Sequence, residues 1–197
     1  MDPIILASSS PRRQEILKLL NIPFVVNPPD IDESFTDSIE IKKIPEYLAC
    51  QKVNAVVRKI SATQETVGWV LGADTVIHYK GKLYGKPDSK ENAIQMLSTF
   101  QGKSHEVITG LALYNGELHD IATRTNINKI HFAPMSEKEI EWYVNTGEWH
   151  GAAGGYRIQG LASCFIKKIE GQESGIMGLP IFELYDMLKE QNYPFIR

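Results

Sequence analysis

The stretch Ala7–Arg13, ASSSPRR, sets three consecutive hydroxyls beside two guanidinium groups. Ser10 reads as a helix N-cap and Pro11 as the first helical residue. Arg12 and Arg13 then fall in the first turn, where the helix macrodipole favours acids, at a cost of about 0.3 kcal/mol or more per cation. Arginines at a helix start are commonly just solvated side chains. A bound anion resolves the conflict better, because backbone N–H groups, the hydroxyls of residues 8 to 10 and two guanidinium forks can converge on phosphate oxygens.

Asp74 is the second candidate, as the first charge in VGWVLGADTVIHY (67–79), an otherwise apolar strand. Asp often ends a strand simply as a turn residue. In open α/β sheets, however, ligands gather at the carboxyl ends of strands, and Gly72 and Ala73 leave room beside this carboxylate. An acid near a phosphate is costly unless a metal ion or a water to be deprotonated uses it. Asp30, Asp32 and Glu33 in DIDES are companions, though such a loop is most often solvated. Lys52 lies at the margin of a helical apolar stripe, where snorkelling is the ordinary explanation. Lys86, between Gly85 and Pro87, is as readily an exposed loop charge as a phosphate contact. GAAGGYRIQG (151–160) is dense in glycine, which means tight turns, close backbone approach or a wall around a ligand. The five histidines lack metal-ligand spacing and take no role. Walker A, HExxH and GxSxG patterns are absent.

These residues need a frame, and the hydrophobic pattern predicts an α/β one. Residues 4–7 read as a buried strand, and IPFVVNPP as a short strand ended by Pro28 and Pro29. Residues 45–60 place Ala49, Val53, Val56, Val57 and Ile60 on one helical face. Pro87 and Asp88, with Glu91, open a helix to Phe100. Residues 104–131 alternate as a hairpin around the Asn-Gly signal in YNGEL (114–118). SEKE (136–139) is a capping box for a helix that Gly147 ends. A strand over 161–169 and a helix from Pro180 to Lys189 follow.

With 197 residues and 43% hydrophobic content, the chain can bury one sizeable core, so a single domain over residues 1–197 is expected. A formal net charge of −3 predicts no broad basic face and no nucleic-acid partner. No apolar run approaches a membrane span and no signal-peptide pattern opens the chain, so the expectation is a cytoplasmic protein without a membrane partner. Cys50 and Cys164 predict neither a zinc cluster nor a disulfide, and both are expected to be small buried hydrophobes.

Taken in order, ASSSPRR (7–13), DIDES (30–34), ACQKV (49–53), LGADTV (71–76), GKP (85–87) and GGYRIQGLASCFIKKIEG (154–171), then GIMGLPIFELYDML, resemble the motifs of the Maf proteins. These are nucleoside triphosphate pyrophosphatases with a fold like that of the house-cleaning inosine triphosphatases. The resemblance implies a mixed, twisted sheet with flanking helices, in two lobes around a central cleft. It implies Asp74 as the catalytic carboxylate or general base, and Glu33 with Asp74 as ligands of Mg2+ or Mn2+. Ser8, Arg12, Arg13, Lys52 and Lys86 become the set that binds the triphosphate. GADT and YRIQG are similar to the branch that hydrolyses dTTP and UTP, which makes Arg12, Thr75 and Gln159 the positions tuning base specificity. The implied role is removal of unwanted nucleotides, modified pyrimidines among them, with a link to division arrest; a homodimer is compatible. The chain departs from the family pattern at Gln51, often acidic there, and at residues 151–154, where the family carries Asp-Lys-Ala-Gly.

Two other classes compete. One is a nucleotide-binding regulator of cell division with little turnover. The other is a nucleotidyltransferase, which shares the strand, small-residue loop and early arginine but has a loop richer in glycine than SSSPRR. Release of pyrophosphate and a monophosphate from a nucleoside triphosphate separates all three.

Overall fold

The computed structural model describes residues 2–34 and 38–195. Its strands are β1 (Ile4–Leu6), β2 (Phe24–Val26), β3 (Trp69–Tyr79), β4 (Lys82–Tyr84), β5 (Ser104–Asn115), β6 (Asp120–Phe132) and β7 (Ile166–Glu170). The α-helices are α1 (Pro11–Leu19), α2 (Ile44–Ser61), α3 (Lys90–Phe100), α4 (Glu137–Asn145), α5 (Glu173–Met177) and α6 (Ile181–Glu190).

β1 pairs in parallel on both sides: Ile4, Ile5 and Leu6 stand opposite Phe24, Val25 and Val26 of β2, and opposite Trp69, Val70 and Leu71 of β3. Paired on both edges, with Ile4 and Leu6 buried and Ile5 half-buried, β1 suits a continuously apolar sequence, which is how IIL reads. β4 on β3 and β7 on β6 are antiparallel, so the seven-stranded sheet, ordered β2-β1-β3-β5-β6-β7 with β4 against β3, is mixed as expected.

By internal contacts the chain divides into two compact units. One runs up to Asp74 and includes Thr109–Asn126 and the chain from Gly178 onward; the other comprises Thr75–Ile108 and Ile127–Met177. The first packs Ala49, Val53 and Val56 of α2 against Val70 and Ala112. The second is built around Leu97 and Phe100 of α3, Ile130 and Phe132 of β6, and Tyr143 of α4.

Several sequence expectations are corrected. The strand read over residues 67–79 is found as β3, but Asp74 lies within it rather than at its carboxyl end: β3 runs to Tyr79, where Lys80 (φ 49°) and Gly81 (φ 75°) turn the chain back into β4, with Tyr79 opposite Lys82. Two successive residues at positive φ make the tight turn that suits a two-residue hairpin. The cap of α3 is Ser89, whose hydroxyl accepts from the Asn92 amide at 3.1 Å, rather than Pro87 or Asp88. Gly116 is not a positive-φ turn residue. It is needed because a Cβ there would lie 1.7 Å from the Val67 carbonyl oxygen, while Asn115 Oδ1 accepts from the Glu117 amide at 3.0 Å to shape the loop. Residues 161–165 form a 3-10 turn instead of the start of β7, and α5 was not foreseen. That turn points Ala162 and Phe165 inward and leaves Cys164 exposed, against the expectation of burial; Cys50 is half-buried.

Candidate active site

The approach of α2 to β3 decides where the charges meet. A Cβ on Gly72 would lie 2.6 Å from the Ala49 carbonyl oxygen and 2.7 Å from Val53 Cγ2, so only glycine lets helix and strand pack this closely. Residues two apart on a strand share a face, so Asp74 also faces α2. On the helix, positions 45, 48, 49, 52, 53 and 56 are buried, which puts Lys52 within the apolar stripe rather than at its margin. Its Nζ lies 2.5 Å from Asp74 Oδ1 and 2.8 Å from Glu33 Oε1. Lys52 and Asp74 are both buried, whereas Glu33 is exposed. Snorkelling does not describe this lysine: its ammonium is held inside by a carboxylate.

The helix start holds the second group. Ser10 occupies the N-cap place with Pro11 after it, as predicted, but its hydroxyl makes no capping bond. The Ser8 hydroxyl instead accepts from the Ser10 amide at 3.2 Å and from Arg13 Nη1 at 2.8 Å. Arg13 turns inward, with Nε donating to the Gly178 carbonyl at 2.8 Å. Burial lowers the Arg13 guanidinium from its ordinary pKa; Asp74 opposes that, Arg12 reinforces it and Glu33 opposes it more weakly. Those couplings put Asp74, Arg12 and Glu33 each within electrostatic reach of Arg13. With Lys52, three cations stand against two carboxylates, an excess suited to a multiply charged anion. The Gly178 carbonyl was missed in the sequence: GIMGLP marks the place, but nothing local says that an arginine 165 residues away reaches it.

Could these carboxylates hold a metal ion? Among the described residues no group of three or more His, Cys, Asp or Glu is placed to do so on protein ligands alone. Magnesium does not need one, since it is usually bound by one or two carboxylates together with substrate phosphates. Glu33 and Asp74 already share one cation, the Lys52 ammonium, so their hard oxygen donors fit such an ion.

The second unit carries the other predicted residues. Thr75 is half-buried in β3, and as the residue after Asp74 it faces the opposite side of the strand. Lys86 is exposed in the loop before α3. The glycine-dense segment is anchored to that loop, with the Gly154 amide donating to the Gly85 carbonyl at 2.8 Å. Gly154 sits at φ 69°, a conformation that favours glycine, and a Cβ there would lie 2.2 Å from Ile77 Cδ1, so that side chain would have to shift as well. Gln159 is exposed, in a turn that the Gly160 amide closes by donating to the Arg157 carbonyl at 3.3 Å. No residue that the sequence proposed for the site falls outside the described residues.

Residues 3–191 match the Maf-like protein family. The chain is 45% identical over 189 residues to the dTTP/UTP pyrophosphatase of Desulforamulus reducens, covering 96% of each chain. It is 42% identical to that of Symbiobacterium thermophilum, over 98% of this chain and 96% of the relative, and 37% identical to that of Halalkalibacterium halodurans, over 98% of both. Among solved structures, the Staphylococcus aureus Ham1 protein aligns with a TM-score of 0.48 at 12% identity, over 67% of this chain and 72% of that one.

Proposed function

This chain belongs to the Maf family, and on that premise we propose that it is a nucleoside triphosphate pyrophosphatase that hydrolyses dTTP and UTP to the monophosphate and pyrophosphate. The observation that carries the reading is the buried Asp74 carboxylate, held 2.5 Å from Lys52 in a cluster where cations outnumber acids. Asp74 accepts the proton of a water molecule whose oxygen bonds to the α-phosphorus. The bond from that phosphorus to the α–β bridging oxygen breaks, and pyrophosphate leaves with the electron pair. Lys52, Arg12 and Arg13 bind the phosphates and stabilise the charge moving onto the departing group. Ser8, which accepts from Arg13, keeps its own O–H to donate to a phosphate oxygen. Glu33 and Asp74 would hold a magnesium or manganese ion, which would supply neutralisation of the phosphate charge.

Lys86 is assigned to the phosphates, and Arg12, Thr75 and Gln159 to base selection, on the family resemblance. The Gln159 amide offers a donor and an acceptor, matching the imide edge shared by uracil and thymine. Those bases differ by one methyl group, which a pocket discriminates weakly, whereas purines differ in size and edge pattern. The role is nucleotide-pool house-cleaning in the cytoplasm, where such triphosphates are found.

Steady-state kinetics with magnesium over the standard triphosphates tests this. UTP and dTTP are expected to share similar kcat/KM, well above GTP and ATP, with monophosphate and pyrophosphate as products. Asp74→Asn is expected to lower kcat about 10²–10⁴-fold while triphosphate binding survives. A preference for a guanine nucleotide overturns the pyrimidine assignment; no pyrophosphate release from any triphosphate overturns the whole reading.

A further inference from the structure

Gln159 lies on a tight turn of the second unit, and something must hold that turn still for an amide to read a base. Its far end is held by Glu148. This residue follows Gly147, whose φ of 76° ends α4 and redirects the chain. Glu148 Oε2 accepts from the Leu161 amide at 2.9 Å, and Oε1 accepts from the Ala162 amide at 3.3 Å and from the Tyr143 hydroxyl at 3.1 Å. The contact is close: a Cβ on Gly160 would lie 2.4 Å from Glu148 Oε2, so a side chain there would displace the carboxylate. One carboxylate thus caps the 3-10 turn that begins immediately after Gln159 and Gly160, with bonds of the stronger, charge-assisted kind.

The near end is tied to the same helix by a second route. Arg157 Nη2 donates to the His150 carbonyl at 2.6 Å, the His150 ring stacks on Trp149 with centroids 3.8 Å apart, and Trp149 Nε1 donates to the Val144 carbonyl at 3.1 Å. Tyr143 and Val144 are both buried on α4, so the turn bearing Gln159 is clamped to a rigid element on either side. Burial and the neighbouring Glu148 carboxylate raise the Tyr143 pKa, which keeps its hydroxyl protonated as a donor.

We infer that Glu148 is a positioning residue for base selection: it fixes the turn that carries Gln159 without touching the nucleotide itself. The inference rests on the pyrophosphatase reading and on Gln159 as base reader. Recognition by a single amide needs placement within about 0.5 Å, so loosening the turn degrades selectivity before it degrades chemistry.

The test compares kcat and KM for UTP, dTTP, GTP and ATP in the wild type, Glu148→Gln, Tyr143→Phe and a control, Ser136→Ala. The glutamine keeps the size of the side chain but turns one acceptor into a donor facing backbone N–H groups. Its pyrimidine-to-purine ratio of kcat/KM is expected to fall by roughly tenfold, mainly through KM for the pyrimidines, with kcat within about twofold. Tyr143→Phe keeps the buried ring and is expected to shift the ratio in the same direction by less; it decides the matter if Glu148→Gln does not fold. Ser136→Ala removes the cap of α4 and is expected to lower the melting temperature with the ratio unchanged. An active wild type whose ratio survives both Glu148→Gln and Tyr143→Phe, or is shifted equally by Ser136→Ala, overturns this inference alone. A wild type that hydrolyses no triphosphate overturns the functional reading and this inference with it.

Discussion

Removing Lys52 should do more damage to the fold than its single charge suggests. In Lys52→Met the side chain keeps its length and apolar stem, but Asp74, only 7% exposed, loses the ammonium 2.5 Å from its Oδ1. Breaking a buried ion pair from one side leaves an uncompensated buried charge and costs about 3–5 kcal/mol. For a chain of this size that corresponds to a fall in melting temperature of about 6–20 °C. Asp74→Asn is milder, because Lys52 retains Glu33 at 2.8 Å, and about 1–3 kcal/mol is expected. The double variant removes both charges, so it should be more stable than the sum of the singles predicts, by about 2–3 kcal/mol of coupling. Urea unfolding without nucleotide or metal measures all four corners of the cycle, with equal slopes as the check that the midpoints report stability. Activity must not follow stability: the double variant recovers its fold yet stays inactive, since the proposed base and a phosphate-binding cation are both gone. Singles that add to within about 0.5 kcal/mol refute the reasoning, because the 2.5 Å contact would then carry no energy.

The two arginines should part company. Arg13→Ala loses buried bonds to Gly178 and Ser8 and should cost about 2 kcal/mol or more of ligand-free stability, whereas Arg12→Ala, half-buried in the first turn, should change it by less than about 1 kcal/mol. Thermal melts that rank them in the opposite order contradict the buried role of Arg13. Gly72→Ala should destabilise by about 1–3 kcal/mol and depress kcat, because the new methyl meets Ala49 and pushes α2, with Lys52, off β3; unchanged activity disproves the link. His105 is buried against Phe100, with Nε2 2.6 Å from the Tyr156 hydroxyl, and burial, helped by His131, lowers its pKa to about 3. Unfolding restores the ordinary value near 6.5, so between these limits the unfolded state binds the extra proton. The His105 contribution to stability is therefore complete above pH about 6.5 and declines by up to about 1.4 kcal/mol per unit as pH falls towards 3. Urea midpoints across that range follow the loss, and an imidazole that titrates near 6.5 by NMR in the folded protein would falsify it.

Local chemistry alone settles much of this chain. The capping box of Ser136 and Glu139, the stop at Gly147 and the Ser10–Pro11 start of α1 are decided within a few residues, and each is found where the sequence puts it. The same holds for the apolar β1 and the helical stripe of α2, whose periods are local properties. The charged residues were legible as candidates for the same reason: a cation at a helix start, or an acid in an apolar strand, conflicts with its own surroundings and so announces itself. What each charge meets is a different matter. Lys52 meets Asp74 only because Gly72 admits α2 against β3, and the glycine, lysine and aspartate lie on elements whose packing no short window records. Asp74 is interior to its strand because β4 folds back on residues beyond it, and Arg13 is a buried strut because Gly178 returns from the far end of the chain. Glu148 carries no local oddity at all; its role comes from the backbone of residues 160–162 passing within bonding distance. The sequence by itself determined which residues could do chemistry and the elements that carry them, since propensity, capping and period act over a few residues. Only the tertiary structure decided which charges pair, because the desolvation and Coulomb energies that govern pairing depend on distances between segments remote in the chain.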